Sequence, residues 1–145
     1  MKKNEEKVDN TLPHVQEKGS IKLRMSLFYD YDFDQLPIEG GWGYGKDDAV
    51  VFTTDDSMEC IGLEYEIAEM RSRFEVNALD DQHPEKDLYF ESFHPLRQIL
   101  MEIDGTPYDV IEGEVTVLDD LDDDDNATKY RTECWFNIKS FFGKH

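Results

Sequence analysis

Positive charge is what this chain lacks most. Fifteen Lys and Arg stand against thirty-four Asp and Glu in 145 residues, leaving a formal charge of −19. Direct nucleic-acid binding is therefore excluded as an expectation, because phosphate contacts are made by Lys and Arg. Cysteine is scarce as well. Cys60 and Cys134 both sit among apolar neighbours (Met58 and Ile61; Trp135 and Phe136), which reads as two reduced, buried thiols in a cytoplasmic protein rather than a disulfide. No Cys/His grouping has zinc spacing. No apolar run has the length to span a membrane, and Met1 to Gly19 is polar, without the apolar stretch of a signal peptide. Four His are present. His14 and His145 lie near the ends, and His83 and His94 each precede a proline; none stands at a meaningful spacing from a Cys or Ser. With thirty-four acidic residues, carboxylate pairs arise by chance. No catalytic residue, metal or cofactor is assigned, and no enzyme is expected.

Acid and aromatics are abundant instead. Nine Phe, seven Tyr and two Trp can build a core, and aromatic richness argues against disorder despite the charge. Residues 1–18 carry four Lys and four acidic residues, so the whole negative excess lies in residues 19–145. The folded part is the acidic part, and its counterpart is a basic surface.

Met1 to Gly19 reads as a disordered leader before one domain spanning 20–145. Ile21 to Tyr29 alternates apolar and polar residues and predicts a half-buried strand. Ala49 to Thr54 predicts a second strand. Leu63 to Val76 predicts a helix: Leu63, Ile67, Met70 and Phe74 fall at helical spacing, and Glu64, Glu66, Glu69, Arg71, Arg73 and Glu75 fill its other faces. Asp55, Asp56 and Ser57 offer a cap. Asp87 to Phe93 fits a helical turn or a strand equally. Asp104-Gly105 between apolar runs predicts a hairpin, and Lys129 to Ile138 predicts a last strand returning antiparallel to Glu114–Leu118. The sum is an α+β domain: a mostly antiparallel sheet of about five strands with one main helix packed on it.

Three segments are candidate sites. In the first, Asp30, Asp32 and Asp34 alternate with Tyr29, Tyr31 and Phe33. They match the first, third and fifth positions of a calcium loop, but Gln35 stands at its glycine position and Gly41 at its bidentate glutamate. The alternation is better suited to a binding edge, with aromatics for contact area and carboxylates to attract a basic surface. The second is Gly40–Gly45 (GGWGYG). It is not a phosphate loop, since Asp47 and Asp48 follow Lys46 where a Walker loop carries Ser or Thr after its lysine. Trp42 and Tyr44 are its candidate contact residues. The third is Asp119–Asp125 (DDLDDDD), whose Asp122, Asp123, Asp124 and Asp125 are candidates to grip partner Lys and Arg.

In size, acidity and layout over residues 19–145, the chain resembles immunity proteins of bacterial toxin systems. The GGWGYG turn after an acidic strand end, with the helix-like EYEIAEMRSRFE downstream, is similar to that kind of family. The resemblance implies a cognate toxin encoded nearby and a one-to-one neutralising complex; it assigns no individual residue. The function expected is an immunity-type binding protein that occupies a basic site on a toxin. The alternatives are a DNA-mimic inhibitor of a nucleic-acid-binding protein, an enzyme or metal-binding domain using the acidic clusters, and an accessory domain whose charge serves solubility.

Overall fold

A computed structural model describes residues 8–9, 12–15, 20–120 and 127–143. Strand β1 is Val8–Asp9, helix α1 Ile21–Tyr29, β2 Ile38–Gly40, β3 Val50–Phe52, helix α2 Ser57–Gln82, β4 Leu88–Ile103, β5 Thr106–Asp119 and β6 Ala127–Asn137. The sheet runs in the order β2-β3-β6-β5-β4, with β1 added beside β6. Most pairings are antiparallel; β3 and β1 each lie parallel to β6. The architecture is α+β with α2 as the main helix.

Ile21–Tyr29 is a helix, not the strand that its alternation predicts. Residues 21, 25 and 29 satisfy a period of two and a spacing of i, i+4, i+8 alike. Ser20 resolves the ambiguity by accepting the Leu23 N–H at 3.0 Å as N-cap, and Leu, Arg, Met and Lys are good helix formers. Ile21 and Met25 point into the core, whereas Leu23 and Leu27, counted on the same face of a strand, are left exposed. The helix stops at Asp30, which adopts the left-handed conformation at φ 60°. The N–H groups of Asp30 and Tyr31 both reach the Ser26 carbonyl, a closure of the Schellman type.

Helix α2 begins where a cap was expected: the Asp56 side chain accepts the Glu59 N–H at 3.1 Å. Its apolar face, including Cys60, Leu63, Ile67, Met70, Val76 and Leu79, is buried. Strands β4 and β5 form the expected hairpin, with Asp104 and Gly105 at φ 51° and 83° in the turn; positive φ at both central residues is the type I′ geometry that matches strand twist. Leu88 to Phe93 belongs to β4, which settles the open choice there as strand. Strand β6 pairs antiparallel with β5 from Tyr108↔Asn137 to Leu118↔Ala127. Phe52 stacks on Phe136 and meets the edge of Phe141, closing the core under the β3 end of the sheet.

Within the stretch read as a leader, Val8–Asp9 pairs with Lys129 and Tyr130 of β6. Leu12 is buried in a second apolar cluster with Val76, Leu79, Val115 and Val117. An apolar side chain as isolated in sequence as Leu12 gives no periodic signal, yet its burial anchors the chain there on the domain.

Candidate functional site

The end of α1 and the start of α2 together build the acid–aromatic edge that the sequence suggests. Beyond Asp30 the chain makes a single 3₁₀ turn at Phe33–Gln35, capped by Asp32, whose Oδ1 accepts the Asp34 N–H at 3.0 Å. Asp30, Asp32 and Asp34 are all exposed. The Tyr31 hydroxyl donates to Glu66 Oε1 at 2.5 Å, and the Tyr29 hydroxyl donates to the Glu66 carbonyl at 3.0 Å. One bond from the end of α1 and one from the residue beyond its cap thus fix the turn against α2. Both phenols are pushed up to about 12; burial is the main cause for Tyr29 and the bond to Glu66 for Tyr31. They therefore remain uncharged donors at neutral pH.

Between the turn and α2 lies a depression of about 270 Å³, bordered by Tyr31, Asp32, Pro37, Met58, Glu59 and Glu66. Its surroundings are apolar as well as acidic. Met58 is 80% exposed, and Phe33 and Ile61, each next in sequence to lining residues, are exposed too. Lys22 is engaged over the Phe33 ring at 4.8 Å. Exposed carboxylates also occur elsewhere, at Glu39, Asp47, Glu91 and Glu102. Exposed apolar side chains stand beside some of these as well, Tyr89 near Glu91 and Leu100 near Glu102 on β4; the face by Asp30–Asp34 adds a depression to them. Among the described residues, no group of three His, Cys, Asp or Glu gathers in a metal-holding arrangement.

Trp42 and Tyr44 lie elsewhere. Trp42 is half-buried and meets Phe74 edge-on; Phe74 meets Phe28, which meets Tyr29, which tilts against Tyr31. A chain of rings therefore leads from the glycine turn to the acid–aromatic edge, with Trp42 at its inner end. The turn docks on β6 through Gly43. Its φ is +86°, and a Cβ there would lie 3.1 Å from both Cys134 Sγ and the Trp135 carbonyl. Its carbonyl accepts the Trp135 N–H at 2.8 Å. Asp122, Asp123, Asp124 and Asp125 lie outside the described residues.

Tyr44 belongs to a buried network that the sequence conceals. Glu64, Arg71 and Glu75, expected on the outer faces of α2, lie on its buried face. Arg71 enters the gap along β6 between β1 and β3. It donates to the Trp42 carbonyl at 3.1 Å, to Thr132 Oγ1 at 2.8 Å and to the Glu133 carbonyl at 2.5 Å. Its Nε lies 3.3 Å from Glu75 Oε2, and Tyr44 donates to that same oxygen at 2.6 Å. Burial pushes the Glu75 carboxyl up, against the pull of Arg71 and the Tyr44 hydroxyl. The Tyr44 hydroxyl also accepts the Val15 N–H at 2.8 Å.

Glu64 is the second buried acid. As a carboxylate, neither of its oxygens has a donor. Carrying a proton, it donates to Asp109, and burial, that bond and the Asp109 charge push its pKa up to about 10. Asp109 also accepts from the Gln98 side-chain amide. Helical spacing from Leu63 and Ile67 is the signal that could have placed Glu64, Arg71 and Glu75 inward. Their charge overrides it in any reading that assigns charged residues to the surface.

Comparison with protein-family models, with curated proteins and with solved structures found no match. Among the described residues, no helix is long and apolar enough to cross a membrane.

Proposed function

We propose that this chain is a binding protein of the immunity type, which neutralises a basic protein partner, a toxin domain, by covering its cationic site. The observation that carries the reading is the edge formed by Asp30–Asp34 and the first turns of α2. It combines exposed carboxylates, exposed aromatic and Met side chains, and a depression in one place. Such a face steers a cationic partner through its field and retains it through apolar contact. Lys and Arg on the partner meet Asp32, Glu59 and Glu66, while an apolar side chain enters beside Met58. The fixed geometry of the turn lowers the ordering cost of binding.

The test is affinity capture from an extract of the native host, using the intact chain and an Asp32→Asn/Asp34→Asn/Glu59→Gln variant side by side. The reading expects one basic protein, retained by the intact chain, lost with the variant, and less toxic when bound. Competition with DNA for several unrelated DNA-binding proteins would favour the mimic reading instead. A partner retained equally by both chains would remove this face from the interface.

A further inference from the structure

Strand β4 ends the sheet, and among the described residues no strand pairs along its far side. We propose that the Gln98–Glu102 segment of this edge pairs antiparallel with the same segment of a second copy of the chain, in a two-fold dimer centred on Leu100. The inference is independent of the partner reading. It concerns different residues and responds to salt in the opposite direction.

Backbone geometry supplies the first argument. Pro107 stands opposite Glu102 in the β4–β5 hairpin. It has no N–H, and its carbonyl accepts the Ile138 N–H at 3.1 Å, on the β6 side. Glu102 therefore finds no backbone partner on β5 and turns its N–H and C=O outward. Outward and inward residues alternate along an antiparallel strand, and the pairing from Arg97 to Ile103 runs without a register shift. Leu100 and Gln98 consequently turn their groups outward as well, and Gln98, Leu100 and Glu102 are exposed. Such a row of free groups is a template for another strand unless proline, bulges or charge blunt it. In β4 the blunting devices gather in the first half, where the register shifts between Phe90 and Ser92 and again between Pro95 and Arg97. Arg97–Ile103 has neither proline nor bulge.

Charge selects the occupant. The chain carries −19 overall, yet Leu96–Ile103 holds one cation, Arg97, and one anion, Glu102. This stretch is locally neutral, so two equally acidic chains meet there with little local repulsion, and it offers no special attraction to a basic strand. Opposed residues of an antiparallel pair share a face, so a two-fold register centres on a residue. Centred on Leu100, it sets Leu100 against Leu100, Ile99 against Met101, Gln98 against Glu102 and Arg97 against Ile103. No like charges are opposed. Apolar surface is covered as well. Leu100 is 60% exposed, and on the face it shares with Gln98 the exposed Tyr65 of α2 reaches Gln98 at 3.4 Å. One contact uses the free edge of both copies, which closes the assembly at two.

The experiment is sedimentation velocity of the full chain from about 10 µM to 1 mM protein, at about 0.05 and 0.5 M salt. A monomer–dimer equilibrium is expected that strengthens with salt, because salt screens the self-repulsion of two acidic chains. Leu100→Lys opposes two ammonium groups and is expected to weaken the dimer about tenfold or more. Leu100→Glu is expected to do the same, and mixing the two variants to restore association as a mixed dimer. The position is exposed, so both variants are expected to fold, and melting curves verify this. Hydrogen exchange at the Leu100 and Glu102 amides gives a readout without any variant: protection is expected to rise with protein concentration. Exchange that ignores concentration, a dimer that Leu100→Lys leaves unchanged, a mixture that does not associate, or growth beyond two copies overturns the inference. A chain still monomeric at the highest concentration and salt overturns it too, and leaves the edge to a strand of another protein.

Discussion

Arg71 lies over the ring of Tyr44 with its guanidinium carbon 4.2 Å from the ring centroid, and the two side chains share one oxygen of Glu75. This contact joins four parts of the chain. Arg71 and Glu75 come from α2, Tyr44 from the glycine turn, Val15 from the N-terminal segment, and Thr132 and Glu133 from β6. Removing Arg71 leaves the Glu75 charge buried without its counter-ion. Arg71→Met is expected to cost about 3–5 kcal/mol, read from denaturant midpoints. Arg71→Met combined with Glu75→Leu is expected to recover much of that loss, because the uncompensated charge is gone.

Tyr44→Phe tests the attachment of the N-terminal segment. It removes the bonds to Val15 and Glu75 while keeping the ring that His14 and Arg71 flank. A loss of about 1–3 kcal/mol is expected, together with faster amide exchange at Val15. Unchanged exchange there would show that the burial of Leu12, the β1–β6 pairing and the His14 ring contact anchor the segment without the Tyr44 hydroxyl.

Glu64 gives a signed pH effect. Its folded pKa is pushed up to about 10 from an ordinary 4.5. Between those values the folded chain holds a proton that the unfolded chain has released, so stability falls as pH rises through this window. Glu64→Gln cannot ionise and keeps a donor toward Asp109. The variant is expected to gain on the parent as pH rises from about 5 to 9, by up to about 1.4 kcal/mol per pH unit. Comparing the two chains cancels the self-repulsion that both share. Parallel stability curves would show that Glu64 is ionised in the fold.

Both thiols are free and buried. Burial is the main cause that pushes Cys60 up to about 12 and Cys134 up to about 11. A thiol-alkylating reagent is therefore expected to label neither in the native chain at neutral pH, since the thiolate is the reactive form. Labelling of both should appear with the global unfolding transition. Early labelling of Cys134 alone would mean that the glycine turn opens from β6 before the rest unfolds.

Much of the fold is legible in the sequence where local chemistry and burial agree. Asp104-Gly105 marks its hairpin because positive φ is needed at both positions. Asp56 marks the start of α2, and the Leu63–Ile67–Met70 spacing marks its face. Helix α1 is not legible by alternation, because Ile21, Met25 and Tyr29 fit both periods, and the Ser20 cap separates them. The acid–aromatic edge is visible as composition, but its closure on Glu66 joins side chains thirty-five residues apart, and no local pattern encodes that distance. The Arg71 network is hidden for another reason. A buried charge looks like a surface charge until its partners, here spread from Tyr44 to Glu133, are brought around it.

The central claim is that the Asp30–Asp34 edge attracts a basic partner through its charge. Stopped-flow association between the chain and the captured partner, measured from about 0.05 to 0.5 M salt for the parent and for Asp32→Asn/Asp34→Asn/Glu59→Gln, tests it most directly. The account predicts fast association at low salt that slows steeply with added salt, and a variant that is slower at low salt and flatter across the series. Identical rates and salt slopes for the two chains would contradict it.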